Sequence, residues 1–133
     1  MAFYNKAELK KIATLEQALG AAEGLLRALD RSTAIIKLSL DGSVLEANEN
    51  FCATMGYAPH ELVGQHHRRL CFDSFMQSPE YNALWARMRS GEFFRGTIKR
   101  RHRDGRDVWL EATYNPVFDE AGRVKLRGKF ATD

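Results

Sequence analysis

Few side chains in this sequence are able to do chemistry, and they are scattered. His66 and His67 stand side by side. Neutral imidazole is a good iron ligand, but adjacent helical residues point apart, so at most one of the pair faces a common pocket; the pair also suits a polar helix start. Trp85 falls in a stripe with Tyr81, Leu84 and Met88 at helical spacing. Its indole either completes a core or stacks on a ligand ring and excludes water. Arg100 shares a strand face with Ile98, which alternation aims inward. A guanidinium there holds a phosphate or carboxylate, or snorkels to the surface. Asn48 offers an amide that donates and accepts, toward a ligand or toward local backbone.

Other candidates are weaker. Cys52 and Cys71 make no CxxC pair, and no Cys/His spacing matches a zinc site. They read as buried, reduced thiols. Glu46, Glu49 and Asp73 are isolated carboxylates. With no nucleophile–base pair, phosphate loop or metal cluster in view, the sequence reads as a binding module with no catalytic residues and no metal, and not as an enzyme.

The elements that must position these groups follow from periodicity. Residues 3–29 predict a helix, with Ile12, Leu15, Leu19, Ala22, Leu26 and Leu29 at alternating spacings of three and four, a seam for a coiled coil or for packing on the chain's own domain. AIIKLSL (34–40) and SVLEAN (43–48) predict two strands joined at Asp41-Gly42. Glu49 to Met55 predicts a short helix stopped by Gly56, and Pro59 opens another turn, closed by Gly64. Residues 65–78 carry no clear pattern. Ser78 and Pro79 read as N-cap and first residue of a helix ended by Gly91. Three strands follow: 94–100, 108–117 and 124–130. Alternation aims Leu110, Tyr114, Leu126 and Phe130 inward as the floor of a pocket, and Trp109 and Glu111 outward. Strands and helices that segregate in this way predict an α+β fold, a five-stranded antiparallel sheet covered on one face by short helices, with a pocket between.

Composition limits the class. Hydrophobic residues are 44% and charged residues 28% of 133, enough for one core without disulfides. No run of apolar residues is long enough to span a membrane and the start lacks a signal-peptide pattern, so the chain is expected to be cytoplasmic. The net charge is +3, much of it from Lys99 to Arg106. Asp104 and Asp107 interrupt that run, which reads as a solvated hairpin tip and not a nucleic-acid surface.

Three stretches carry a resemblance: DGSVLEANENFCATMGYAPHELVGQHH, then SPEYNALWARMRSGEFFRG, then KRRHRDGRDVWLEATYNPVFDEAGRVKLRGKFATD. In this order they resemble the PAS domain, in particular those of bacterial methyl-accepting chemotaxis receptors such as the aerotaxis receptors, over about residues 33–133. The resemblance implies a PAS fold at 31–133 behind an N-terminal amphipathic, coiled-coil or cap helix at 1–30. It also implies a sensory function, a small molecule or a redox or oxygen signal being passed to attached helices beyond KFATD. FAD is the implied cofactor, with heme b or no cofactor as alternatives. The aerotaxis receptors carry residues matching Asn48, His67 and Trp85, so these form the cofactor set together with Arg100 and the floor residues Leu110, Tyr114, Leu126 and Phe130. For heme, His66 or His67 would be the axial ligand. The chain has CFDS where those receptors have an Arg-His-Pro-Asp run, and Cys71 lies outside the motif that a light-driven cysteinyl adduct requires. Implied partners are a second copy through residues 3–29, a C-terminal receptor signalling region and its histidine kinase complex.

Overall fold

Asn5 and Glu8 open the first helix by bonding each other's backbone N–H reciprocally, at 2.8 and 3.0 Å, a capping box. In the computed structural model, residues 4–118, 121–122 and 124–132 are described, the last strand by its backbone alone except at Gly128. The helix, α1, runs Lys6–Ser32 and buries none of its residues. The chain divides into residues 1–32 and residues 33–133, and among the described residues the second unit holds the sheet and the buried hydrophobic residues.

That unit contains β1 (Ala34–Leu38), β2 (Val44–Ala47), α2 (Glu49–Met55), α3 (Pro59–Leu62), a 3-10 turn (His67–Leu70), α4 (Asp73–Met76), α5 (Pro79–Arg89), β3 (Phe94–Arg101), β4 (Asp107–Phe118) and β5 (Val124–Thr132). The strands form one sheet in the order β2-β1-β5-β4-β3, each pair antiparallel. The α+β class is as expected. The final strand therefore lies between the first strand and β4, and the ladder closes across nearly the whole unit.

Local chemistry sets the turns. At the β1–β2 hairpin, Asp41 accepts hydrogen bonds from the Ser39 hydroxyl and the Ser43 N–H, while Gly42 takes a φ of 90°. After α3 the chain returns to β2's free edge, with Val44 bonding both Gly64 and Gln65. Asn48 is the N-cap of α2, and Gly56 ends that helix at a φ of 80°. Ser78 sits at the N-cap position of α5 but makes no side-chain cap bond; its hydroxyl donates instead to the Phe75 carbonyl. The segment that showed no pattern, 65–78, contains the 3-10 turn and α4, elements of four residues each, too short for periodicity to register.

The core lies between the sheet's inner face and the helices. Ala34, Ile36 and Leu38 of β1, and Leu110, Ala112 and Tyr114 of β4, alternate into it. They meet Phe51, Met55, Leu62, Leu70, Trp85 and Met88 from the cover. On the opposite face of the sheet, Trp109 is exposed. The basic run departs from a simple solvated tip. Arg100 is buried, the Arg103 backbone N–H donates to the Met55 carbonyl at 3.0 Å, and its guanidinium pairs with Glu61 at 2.8 Å, fastening the tip of the β3–β4 hairpin to the helical cover.

The end of α2 yields a test. A Cβ on Gly56 would lie 2.3 Å from the His102 ring, at a backbone angle that side chains rarely adopt. Gly56→Ala is expected to lower stability by more than about 1 kcal/mol. Adding His102→Ala should recover part of that loss but not all, because the ring clash is relieved and the backbone strain is not. Urea titrations of the two single variants and the double variant measure the coupling.

Candidate functional site

β3 delivers the site's charge. Its alternation turns Ile98 and Arg100 to the inside, where Arg100 is 3% exposed. Across the ladder β4 brings Tyr114, and the 3-10 turn places His67 above it, each fully buried. Arg100 Nη2 donates to the Tyr114 hydroxyl at 3.2 Å, and that hydroxyl meets His67 Nε2 at 3.1 Å. His67 Nδ1 in turn lies 3.7 Å from Cys71 Sγ. Burial, then the nearby charges of Arg100 and His66, holds the His67 pKa well below its ordinary 6.5. Burial likewise pushes Tyr114 and Cys71 up, so all three are neutral at physiological pH.

The arginine has only donors, so Tyr114 accepts from it. The Tyr114 hydroxyl and His67 Nε2 share one hydrogen bond, and His67 Nδ1 and Cys71 Sγ another, with the proton's place in each set by the imidazole tautomer. The thiol also lies 3.8 Å from the His67 carbonyl. Four side chains from β3, β4 and the 3-10 segment thus form one hydrogen-bonded network under the cover. Such chains reinforce one another in a low-dielectric interior.

Arg100 also donates to the Lys99 carbonyl at 3.0 Å and sits 5.2 Å from the centre of the Phe75 ring. Its Nε has no hydrogen-bond partner. Arg100 borders a cavity of about 310 Å³, lined also by Phe75, Leu84, Phe94 and Ile98 with Glu80, Thr97 and Lys99. A smaller cavity, about 170 Å³, lies between the β1–β2 hairpin and α5 and is lined by Asp41, His66, Tyr81 and Trp85 among others.

The expected site residues separate. Asn48 spends its amide on the backbone. Its Oδ1 accepts from Ile35 and Phe51 N–H, and its Nδ2 donates to the Thr33 carbonyl. It joins β1 to α2 and presents no free group to a ligand. His66 is likewise occupied, Nε2 bonding the Asp41 carbonyl at 2.8 Å and Nδ1 accepting from the Arg68 N–H at 3.1 Å. Trp85 is buried, edge-on to His67 at 5.7 Å, and its Nε1 has no partner; it borders the smaller cavity, apart from the Arg100 cavity. Leu110 and Tyr114 are buried in the core and line neither cavity, whereas the side chains of Leu126 and Phe130 lie outside the described residues. Arg100, Tyr114 and His67 are the residues that the fold brings together. Cys71 and Phe75 join them from the stretch that carried no sequence pattern; the four-residue spacing of His67 and Cys71 was the only signal for the former.

FAD and heme can be tested against this arrangement. Ligand pockets typically run from about 300 to 1,000 Å³, so the Arg100 cavity sits at the small end and does not accommodate a flavin dinucleotide as it stands. Both ring nitrogens of His66 are engaged, and His67 Nε2 faces Tyr114, which leaves neither histidine an open position for iron.

The family described as the PAS fold matches residues 44–128. The chain is 49% identical over 108 residues to the biofilm dispersion protein BdlA of Pseudomonas aeruginosa, covering 81% of this chain and 26% of that one. It is 28% identical over 107 residues to the aerotaxis receptor of Escherichia coli, covering 78% and 21%. The chain thus spans about a quarter of the length of these curated relatives. Among solved structures, a PAS domain from Colwellia psychrerythraea superposes with a TM-score of 0.71 at 22% identity, over 85% of this chain and 97% of that one. An RNA-binding light-oxygen-voltage receptor gives 0.69 at 27% identity, over 99% and 36%.

The buried network carries two expectations for stability. Tyr114→Phe keeps the ring but leaves Arg100 Nη2 and His67 Nε2 facing each other unpaired, and should cost about 1–3 kcal/mol in chemical denaturation. For pH, the sign follows from His67. Its folded pKa is depressed, so below about 6.5 the unfolded chain takes up a proton that the folded chain does not. That stability is complete above 6.5 and is lost as the pH falls, by up to about 1.4 kcal/mol per pH unit. Denaturation between pH 7.5 and 5, compared with His67→Gln, isolates the slope, which the variant should lack.

Proposed function

The chain belongs to the PAS family, and on that footing we propose that it is the sensory module of a chemotaxis-type signal transducer, a binding domain and not an enzyme. The observation that carries this reading is the hydrogen-bonded network Arg100–Tyr114–His67–Cys71, which runs from a ligand-sized cavity across β3 and β4 into the helical cover. A molecule seated at Arg100 changes the outermost bond of a chain whose members sit on the elements that must move relative to one another. The identity to proteins named a biofilm dispersion protein and an aerotaxis receptor supports the same assignment.

The mechanism is a shift between two populations. An occupant that binds one arrangement of Arg100 and Tyr114 better than another biases β4. β4 is paired with β5 along nine register positions from Leu110 to Phe118, so the bias reaches the final strand. A differential affinity worth 1.4 kcal/mol moves the populations tenfold. In the full receptor the recipient is a C-terminal signalling region and its histidine kinase complex. The exposed seam of α1, with Leu15, Leu19 and Leu26 on the outside, supports homodimerisation through residues 3–29, in a cytoplasmic setting.

FAD is the second reading. Trp85, buried with an unpartnered Nε1, is the observation in its favour, and it requires the cover to part from the sheet. An absorption spectrum of the purified protein decides: flavin bands support this reading, a Soret band replaces it with heme b, and a colourless protein with no bound flavin rejects both.

The sensory assignment has its own test. Fused ahead of a chemotaxis-receptor signalling region, the chain is expected to make kinase output depend on what occupies the cavity, and Tyr114→Phe should uncouple output while the domain stays folded. Output that is the same in the parent, in Tyr114→Phe and in the cavity-filling Ile98→Trp would overturn the proposal.

A further inference from the structure

We propose that the cavity over β3 is a seat for a small organic monocarboxylate, its carboxylate held by Arg100 and its apolar body against Phe75, Leu84, Phe94 and Ile98. The inference rests on the sensory reading of the same site and names the ligand class that reading leaves open.

A guanidinium that is 3% exposed is a costly thing to bury. Buried charges are normally paired, because the low-dielectric interior removes the hydration that stabilises them. Among the described residues no carboxylate lies within ion-pair distance of Arg100. Its contacts are all neutral: the Lys99 carbonyl, the Tyr114 hydroxyl and the face of Phe75. Nε, the donor on the side of the fork, has no partner among the described residues. Arg100 lines the cavity, its charge has no counter-ion among the described residues, and an anion that reached the planar fork would supply one; the fork matches a carboxylate.

The rest of the lining selects within the anions. A phosphate carries about 1.5 to 2 negative charges at neutral pH and calls for a second buried cation or a nest of backbone N–H groups. Here Arg100 is the buried cation of the lining. Lys99 is exposed, its ammonium over the rings of Phe72 and Trp109 at 4.9 and 5.9 Å. Glu80, also exposed, lies on the same lining and disfavours a second negative charge near it. The inner wall is aromatic and aliphatic. One buried positive charge beside an apolar cavity of about 310 Å³ fits one carboxylate on a single ring or a short alkyl chain.

The test titrates the 133-residue chain with benzoate, with hexanoate and with the neutral isostere benzamide. The readouts are the thermal midpoint and the side-chain Nε–H resonance of Arg100, assigned by its absence in Arg100→Gln. The expected result is a concentration-dependent rise in midpoint and a shift of that resonance with at least one of the two acids, and binding of benzamide weaker by about tenfold or more. Arg100→Gln should lose the preference for acid over amide. Because that variant risks unfolding, Ile98→Trp serves as a second: it fills the apolar half, keeps the arginine, and should lose binding of both probes. Equal binding of benzoate and benzamide would overturn the proposal, as would no response to either acid. Binding gained only in Glu80→Gln would also overturn it, by making Glu80 the resident partner of Arg100. Acid binding without a change in the output of the fused receptor would leave the ligand inference standing and defeat the sensory reading. Output that responds to a bound flavin while no acid binds would do the reverse.

Discussion

β5 hydrogen-bonds along both of its edges, to β1 on one side and β4 on the other. An interior strand has no other way to satisfy its backbone groups, so the sheet is complete only when the first and last strands of the unit have met. Ala34 opposes Phe130 and Leu38 opposes Leu126, pairings separated by nearly the whole unit. Ordering such non-local contacts is slow and entropically costly. It also makes the sheet one mechanical object, since a change imposed on β4 from the cavity has no free edge on which to dissipate before it reaches β5.

The helical cover faces a different constraint. It must close over Arg100, whose charge would otherwise remain in water, and it does so by supplying neutral partners in series. Tyr114 satisfies Arg100 and His67 together, and His67 passes the polarity to Cys71. None of these groups is charged apart from the arginine, so the network is held by hydrogen bonds instead of ion pairs. That arrangement tolerates burial but leaves the guanidinium's Nε without a hydrogen-bond partner among the described residues. The same feature explains why the network is sensitive to an occupant: the terminal charge is the one member whose environment a ligand can change.

Much of this was legible beforehand, for reasons tied to particular residues. The alternation Leu110, Ala112, Tyr114 against Trp109 and Glu111 has a period of two and nothing to disguise it, so the inner and outer faces of β4 were readable. Gly56 ends α2 at a left-handed backbone angle that other residues resist, and Pro79 opens α5 because its fixed φ suits the first helical position and its missing N–H needs no partner there. By contrast, the 3-10 turn and α4 have too few residues to show a period, so the location of Cys71 and Phe75 was hidden. Asn48 was ambiguous because an amide that bonds a ligand and one that bonds the backbone look the same in sequence; only the positions of Thr33, Ile35 and Phe51 settle it.

The sequence by itself determined the class of the fold, the family, the strands' inner faces and the inward turn of Arg100, because each depends on local periodicity or on an ordered set of short motifs. It left open whether Arg100 snorkels or is buried and whether His66 or His67 faces inward. Tertiary structure decided both. The β3–β4 register and the closure of the cover set the depth of Arg100. The bond from Asp41 to His66, across the hairpin, turned one imidazole to the rim and left the other to meet Tyr114. These are contacts between residues 14 to 47 positions apart, and no local pattern encodes what a side chain will meet at that distance along the chain.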